Sequence, residues 1–302
     1  MIRFGLCCLF VDQPVRFRTA TASSVLHMPR RQRLQKLSGI CLSNAENLQL
    51  ALELVDASGI GAFRISSGLL PLFTHPEAGY MLEELPDAGR ITDSLSKSGS
   101  FAADRNIRLS FHPDQFVVLS SHRADVAANS AEELRYHGLL AEILGADVIN
   151  IHLGGRHGGK EEAIRRFKKN FKRLPANLKQ RLTLENDDIS YAPSDLDRVC
   201  RELDMPMVYD VHHHRCNPDG LPVESATDLC LNSWKRLGRE PYFHISSPKG
   251  GWKTRKPRSH SDYIDPADFP DYWRKLGCDF TLDVEAKAKE LAVLRLMKDI
   301  SE

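Results

Sequence analysis

Eight short runs rich in branched and aromatic residues recur along this chain, and most lead into a stretch with helical spacing. That alternation leaves few folds open. Strand-then-helix order from end to end implies parallel β/α construction. The runs cover residues 2–8, 62–66, 107–111, 148–152, 182–185, 207–211, 242–246 and 280–285. Eight such units are what a closed (β/α)8 barrel, the TIM barrel, requires. A chain of 302 residues can hold two ordinary domains or one large one. The expected fold is therefore α/β, with a single TIM-barrel catalytic domain spanning residues 1–302.

Between the runs, Ser43 and Glu46 form a capping box that opens a helix with Leu48, Leu52 and Val55 on one face, stopped by Gly59. Residues 131–144, closed by Gly145, and 161–174, with Ile164, Phe167 and Phe171 aligned, read as helices, as do 194–203. Cys230, Trp234 and Leu237 keep helical spacing, and a last helix runs through Leu291 and Leu294. The segment 12–38, rich in Arg, Ser and Thr, reads as a loop beside the active face.

Composition narrows the function classes. The net charge is only +1, so a nucleic-acid partner must be met by a local basic surface. Seven unevenly spaced cysteines without a CxxC pair point to reduced thiols in a cytoplasmic protein. The apolar start resembles a short signal peptide, with Ala20-Thr21-Ala22 as a mock cleavage site. Asp12, Arg16 and Arg18 lie between the two, and a first buried strand is the better reading. No apolar run approaches the roughly 20 residues of a membrane span.

The residues at the strand ends carry the chemistry. His112 follows the third run, His152 ends the fourth and Glu185 ends the fifth. Asp210 and the His212-His213-His214 triplet close the sixth, His244 lies within the seventh and Glu285 ends the eighth. In a barrel these ends converge on one rim. Imidazole and carboxylate suit zinc, manganese or iron, and the candidates are too many for one four-coordinate ion, so a cluster of two or three is expected. A lone histidine is more often a hydrogen-bonded core residue, and a lone glutamate can cap a helix. Coincidence at five or six strand ends is much harder to attribute to chance. Within the triplet, consecutive side chains on extended backbone diverge and cannot all chelate.

After the seventh run, Lys249, Lys253, Arg255, Lys256 and Arg258 occur within ten residues without an acid. Such a run is commonly a solvated turn; on the metal-bearing rim it becomes a clamp for phosphate oxygens. Trp252 among them fits stacking on a base or anchoring the loop. Gly154-Gly155 and Gly158-Gly159 around Arg156 read as close backbone approach to a ligand, without the spacing of a dinucleotide site.

The segments FRISSGLLP, THP, SFHPDQF, HLGG, LEND, YDVHHHRCNP, FHISS and VEAKAKE, in this order, resemble the UV damage endonuclease family over most of the chain. The resemblance implies a xylose-isomerase-like barrel and up to three divalent ions, with manganese foremost and zinc or magnesium as alternatives. It also implies incision of double-stranded damaged DNA immediately 5′ to UV photoproducts, with no organic cofactor. It assigns His75, His112, His152, Glu185, Asp210, His213, His244, His260 and Glu285 as metal ligands; His75 and His260 rest on it alone. Gln115 and Phe116 match a Gln-Tyr pair that probes the duplex in similar enzymes. The chain departs from the pattern at Phe116, which lacks the phenolic hydroxyl. It departs also at Tyr242, where some members have lysine, and at Leu6, where some have tyrosine.

The expected reaction is metal-assisted phosphodiester hydrolysis, with Glu185, Glu285, His112 and His244 as catalytic residues and the two glutamates bridging ions about 3.5–4 Å apart. An abasic-site endonuclease of the same superfamily is the nearest rival, and a metal-dependent sugar isomerase or epimerase the next. The basic loop and the Gln115-Phe116 pair favour DNA over a small carbohydrate.

Overall fold

The eight runs close on themselves. In the computed structural model, which describes residues 1–301, they form the parallel strands β1 (Ile2–Cys7), β2 (Ala62–Ile65), β3 (Arg108–Phe111), β4 (Val148–His152), β5 (Leu182–Glu185), β6 (Met207–Asp210), β7 (Tyr242–Ile245) and β8 (Phe280–Val284). Each pairs with the next, and β8 returns to β1 from Ile2↔Phe280 to Leu6↔Val284, so no edge is left open. Helices α1 (Ser23–Leu26) and α2 (Arg30–Ala57) lie between β1 and β2, α3 (Ala88–Asp104) between β2 and β3, and α4 (Ala124–Leu144) between β3 and β4. Then come α5 (Lys160–Phe171) and α6 (Ala176–Lys179), α7 (Pro193–Leu203), α8 (Val211–Cys216) and α9 (Val223–Lys235), α10 (Asp271–Arg274) and, last, α11 (Lys289–Ser301). No described helix is long and apolar enough to cross a membrane.

Strand alternation divides the protein into two environments. Phe63, Phe111, Phe243, Phe280 and Leu282 are buried in the apolar layer together with Leu48, Leu140 and Trp273 from the surrounding helices. The other side chains of the strands meet inside the barrel, where most are polar, with Val148 and Val208 among the apolar exceptions. Hydrogen bonds between non-adjacent strands must cross that interior: Ser110 Oγ of β3 lies 2.9 Å from Tyr242 Oη of β7, and Arg108 Nη1 donates to Thr281 Oγ1 of β8 at 3.0 Å. Asn150 and Thr183 bond to each other at 2.9 Å at the same level.

Three sequence expectations are corrected. Ser43 does not open a helix; α2 already starts at Arg30, because Leu37, Ile40 and Cys41 extend the buried stripe of Leu48 and Leu52 toward the N-terminus. Only residues 12–22 and 27–29 of the supposed loop are irregular, and Asn44 fastens the first stretch by accepting from Arg18 N at 2.7 Å and donating to Arg18 O at 2.9 Å. Residues 88–104, for which the sequence reading offers no element, form α3, burying Ile91, Leu95, Ser98 and Ala102 at helical spacing. Leu291 and Leu294 are exposed on α11, while Ala292, Val293 and Leu296 face the core.

One buried histidine ties stability to pH. His137 of α4 is fully enclosed, with Nδ1 2.7 Å from Glu133 O and Nε2 without a hydrogen-bond partner among the described residues, and burial pushes its pKa down to about 4. The unfolded chain takes up this proton near pH 6.5, the folded one only near 4. Stability is thus complete above about pH 6.5 and is lost as pH falls through 4, by up to about 3 kcal/mol. Urea midpoints at pH 7 and pH 4.5 are expected to converge in His137→Leu relative to the wild type.

Candidate metal centre

Six strand ends deliver their side chains to one rim, and Glu185 is their centre. Its carboxylate is fully buried at the end of β5. Oε2 lies 2.9 Å from His112 Nε2 and accepts from Asn150 Nδ2 at 2.5 Å, with His152 Nε2 3.7 Å away. Oε1 lies 3.2 Å from both His213 Nδ1 and His244 Nδ1. Glu285 Oε1 is 3.4 Å from His244 Nδ1, and Glu285 Oε2 is 3.7 Å from His260 Nδ1.

These side chains resolve into three overlapping groups whose potential donor atoms lie within 4.8 Å of one another: His112, His152 and Glu185; Glu185, Asp210 and His213; Asp210, His244 and Glu285. Glu185 and Asp210 are shared between groups. Sequence reasoning paired Glu185 with Glu285 as the shared acids, but Glu285 stands in one group only, with Arg64 Nη1 drawn to its Oε1 at 2.5 Å.

Asp210 is shared because of where it sits. It ends β6 and caps α8, its Oδ1 accepting from His213 N at 2.8 Å. Its Oδ2 is buried and finds no hydrogen-bond partner among the described residues, as does His152 Nδ1. Buried polar atoms are nearly always satisfied, so unpaired ones at a cluster of imidazoles and acids fit cation ligation. The donor set, neutral nitrogen and carboxylate oxygen, suits first-row divalent ions.

The histidine triplet is helical, not extended, and α8 sends its rings in three directions. His213 turns to Glu185 and Asp210. His214 turns away, 2.8 Å from Tyr209 Oη and 2.9 Å from Asp219 Oδ1. His212 packs between the rings of Trp252 and His260, with centroids 5.1 and 5.3 Å away. His75 lies on the loop after β2, outside the three groups, where its Nδ1 accepts from the backbone N–H of Glu77 and Ala78, both at 3.1 Å.

Charge is concentrated here. Burial opposes ionisation of Glu185, yet the charges of His244 and His152 and the hydrogen bonds of His112 and His213 hold its pKa well below the usual carboxylate range. Glu285 is likewise held low against burial, by Arg64 and His244. Burial would lower His244, but Glu185, Glu285 and Asp283 outweigh it and raise the pKa to about 9. His213 is raised against burial by Asp210 and Glu185, whereas burial prevails at His152 and lowers it.

Sequence reasoning missed the layer beneath. Asn150, Tyr242 and Asp283 each precede a strand-end candidate by two residues and so share its inward face. Asp283 is fully buried; its Oδ1 accepts from Tyr242 Oη at 2.9 Å and its Oδ2 lies 3.8 Å from His244 Nε2. The signal was available as polar residues at i−2 in the runs NIH, YFH and DVE. Leu6, by contrast, is buried in the apolar core rather than in this cluster.

Around the rim, Gln115 is exposed and Phe116 is 77% exposed, beside a cleft of about 560 Å³ that His75 also lines. Lys249, Lys253, Arg255 and Lys256 are exposed with no acid partner among the described residues, while Arg258 Nε lies 3.4 Å from Asp188. Trp252 anchors their loop: its indole donates to Asp268 Oδ1 at 2.7 Å and Arg215 packs over its ring. At Gly154, whose φ is +100°, a Cβ would sit 2.5 Å from Val118 Cγ1, so the glycine serves packing of the β3 and β4 loops.

Comparison with known proteins places the whole chain among relatives. The chain is 34% identical over 290 residues to the UV DNA damage endonuclease of Bacillus cereus (strain G9842), covering 94% of this chain and 89% of that protein. It is 33% identical over 311 residues to that of Bacillus mycoides (strain KBAB4), covering 100% and 95%. The crystal structure of SacUVDE superposes with a TM-score of 0.87 at 29% identity over 100% of this chain and 98% of that one. Endonuclease IV from Thermus thermophilus, at 16% identity, TM-score 0.57 and coverage of 99% and 98%, shares the fold. The family described as UV-endonuclease UvdE matches residues 2–302, and the chain belongs to it.

Proposed function

We propose that this barrel is one catalytic domain that hydrolyses the phosphodiester bond immediately 5′ to UV photoproducts in duplex DNA, using two or three divalent ions, with manganese the first candidate. The observation that carries the reading is the sharing of Glu185 and Asp210 among three groups of potential ligands at one rim. His112, His152, Glu185, Asp210, His213, His244 and Glu285 are the proposed ligands, and His260 reaches the cluster through Glu285. When bound, the ions supply Lewis-acid charge to the phosphodiester and to the departing 3′ oxygen.

The chain's own residues do the rest. Glu185, kept ionised, gathers the imidazoles of four strand ends on its two oxygens. Asp283 behind His244 Nε2 favours the tautomer that leaves Nδ1 toward the cluster. Phe116 is placed to stack in the space that extruded bases leave, and a lesion that already weakens stacking lowers the few kcal/mol this costs. Lys249, Lys253, Arg255 and Lys256 take backbone phosphates. Exposed phenylalanine and unpaired cations serve a duplex; a sugar isomerase has no use for either.

The test is nicking of supercoiled plasmid. UV-irradiated plasmid is expected to be incised after manganese addition and spared after dialysis against EDTA, with the activity restored by manganese. Equal nicking of unirradiated plasmid, or preference for depurinated over irradiated plasmid, would remove photoproducts as the substrate.

A further inference from the structure

A second basic surface lies apart from the metal centre, on the barrel wall between α4 and α5. A cleft of about 380 Å³ runs there, with Arg166, Lys169 and Arg173 on one side and Arg135 on the other. Its floor is the alanine face of α4, including Ala124, Ala127, Ala128 and Ala131. Arg166 and Lys169, three apart, share a face of α5, and Arg173 follows in the turn just past its end.

The opposite side of α5 behaves differently. Lys160 pairs with Asp195 at 2.6 Å, Lys168 with Glu202 and Arg165 with Glu162. In the cleft the sole lining acid, Glu132, is engaged by Arg135. Lys169 and Arg173 are exposed and have no acid partner among the described residues. Arg166 pairs with Glu162 at 3.3 Å, so the cations left bare in the cleft are Lys169 and, just past the end of α5, Arg173.

The cleft opens onto the catalytic rim. Its mouth is formed by Ser121 and His122, at the end of the same loop that starts at His112 and carries Phe116. Across the mouth, His157 stacks on His122 with ring centroids 3.8 Å apart, and Arg166 ties both loops by donating to Ser120 O at 2.8 Å and His157 O at 2.6 Å. The exposed Arg156 stands beside it on the glycine-rich loop. From the first turn of α5 to Lys172 the wall descends about 18 Å.

We propose that this cleft holds the phosphate backbone of one arm of the duplex, bent away from the lesion over the rim between β3 and β4 and down the wall toward Arg173. The proposal rests on the DNA-incising reading above and adds a path for DNA beyond the lesion. Small alanine side chains let a phosphodiester chain approach α4 closely, and the bare Lys169 and Arg173, four residues apart, can meet neighbouring phosphates of a repeating anion. A duplex kinked where its stacking is already broken bends at little cost, and the phosphates then held along the wall favour the damaged site over intact DNA.

The experiment compares duplexes of two lengths, each with one photoproduct at its centre. A duplex of about 12 base pairs reaches about 20 Å to each side at 3.4 Å per step and stops near the rim, whereas one of about 30 reaches the whole wall. The double variant Lys169→Gln/Arg173→Gln is expected to bind the long duplex about tenfold more weakly near 0.1 M salt, with the slope of log affinity against log salt shallower by about 2. Its affinity for the short duplex should stay within about twofold of wild type, and Lys169→Arg/Arg173→Lys should restore the long-duplex value. Equal loss on both lengths, or no loss on either, overturns the wall path. Incision of the short duplex by the unaltered enzyme reports the nuclease reading separately, so failure there is distinct from failure of the cleft.

Discussion

Glu185→Gln is expected to lower incision of irradiated DNA by at least about 10³-fold, about 4 kcal/mol of barrier, and to lower the metal content of the purified protein. The glutamine fits the same space and can still meet Asn150, so the fold and its melting temperature should change little. What disappears is the one negative charge that lies within 3.2 Å of His213 and His244 and 2.9 Å of His112. Because Glu185 belongs to two of the three groups, its loss is expected to weaken cation binding at both. Affinity for damaged duplex should persist, since Phe116 and the basic loop lie outside the cluster. Metal analysis, a nicking time course and a filter-binding isotherm on one preparation separate these outcomes. An incision rate equal to wild type would remove Glu185 from the chemistry.

Gly5→Ala is the second large effect, and it arises one layer deeper. Gly5 pairs with Asp283 across β1 and β8, and a Cβ on it would lie 2.0 Å from Asp283 Oδ1. The carboxylate would have to swing away, breaking the 2.9 Å bond from Tyr242 and withdrawing from His244. We expect destabilisation of about 2–4 kcal/mol and metal affinity about 10–100-fold weaker. Thermal unfolding with and without manganese measures both. Asp283→Ala in the Gly5→Ala background relieves the clash, so the two losses should be strongly non-additive. Wild-type melting and metal affinity in Gly5→Ala alone would contradict the packing described.

The barrel is readable because its strands are short apolar runs ending in a change of residue type. β4 and β5 begin and end where hydrophobicity does. Helix ends are less readable. α2 starts in a segment dense with arginine, and only Leu37, Ile40 and Cys41 betray the stripe beneath that charge. α3 carries glycines and serines that read as loop, although Ile91, Leu95 and Ala102 recur at helical spacing. The ligand candidates at strand ends stand out because imidazole and carboxylate are unusual there. Asn150 and Asp283 do not, since a polar residue inside a strand ordinarily faces water, and only closure of the barrel turns that face inward. The histidine triplet reads as extended because it follows a strand without a break; the cap that starts α8 is Asp210 itself, whose side chain the sequence points to the metal site.

That double duty of Asp210 limits how the centre can be altered. One oxygen holds the first turn of α8, on which His213 rides, and the other faces the cluster. Lengthening the side chain to glutamate would keep the charge while unwinding the turn that aims the neighbouring imidazole. Retuning this corner for another cation would therefore call for replacing anchor and ring together, and either change alone is expected to cost the centre more than the pair does.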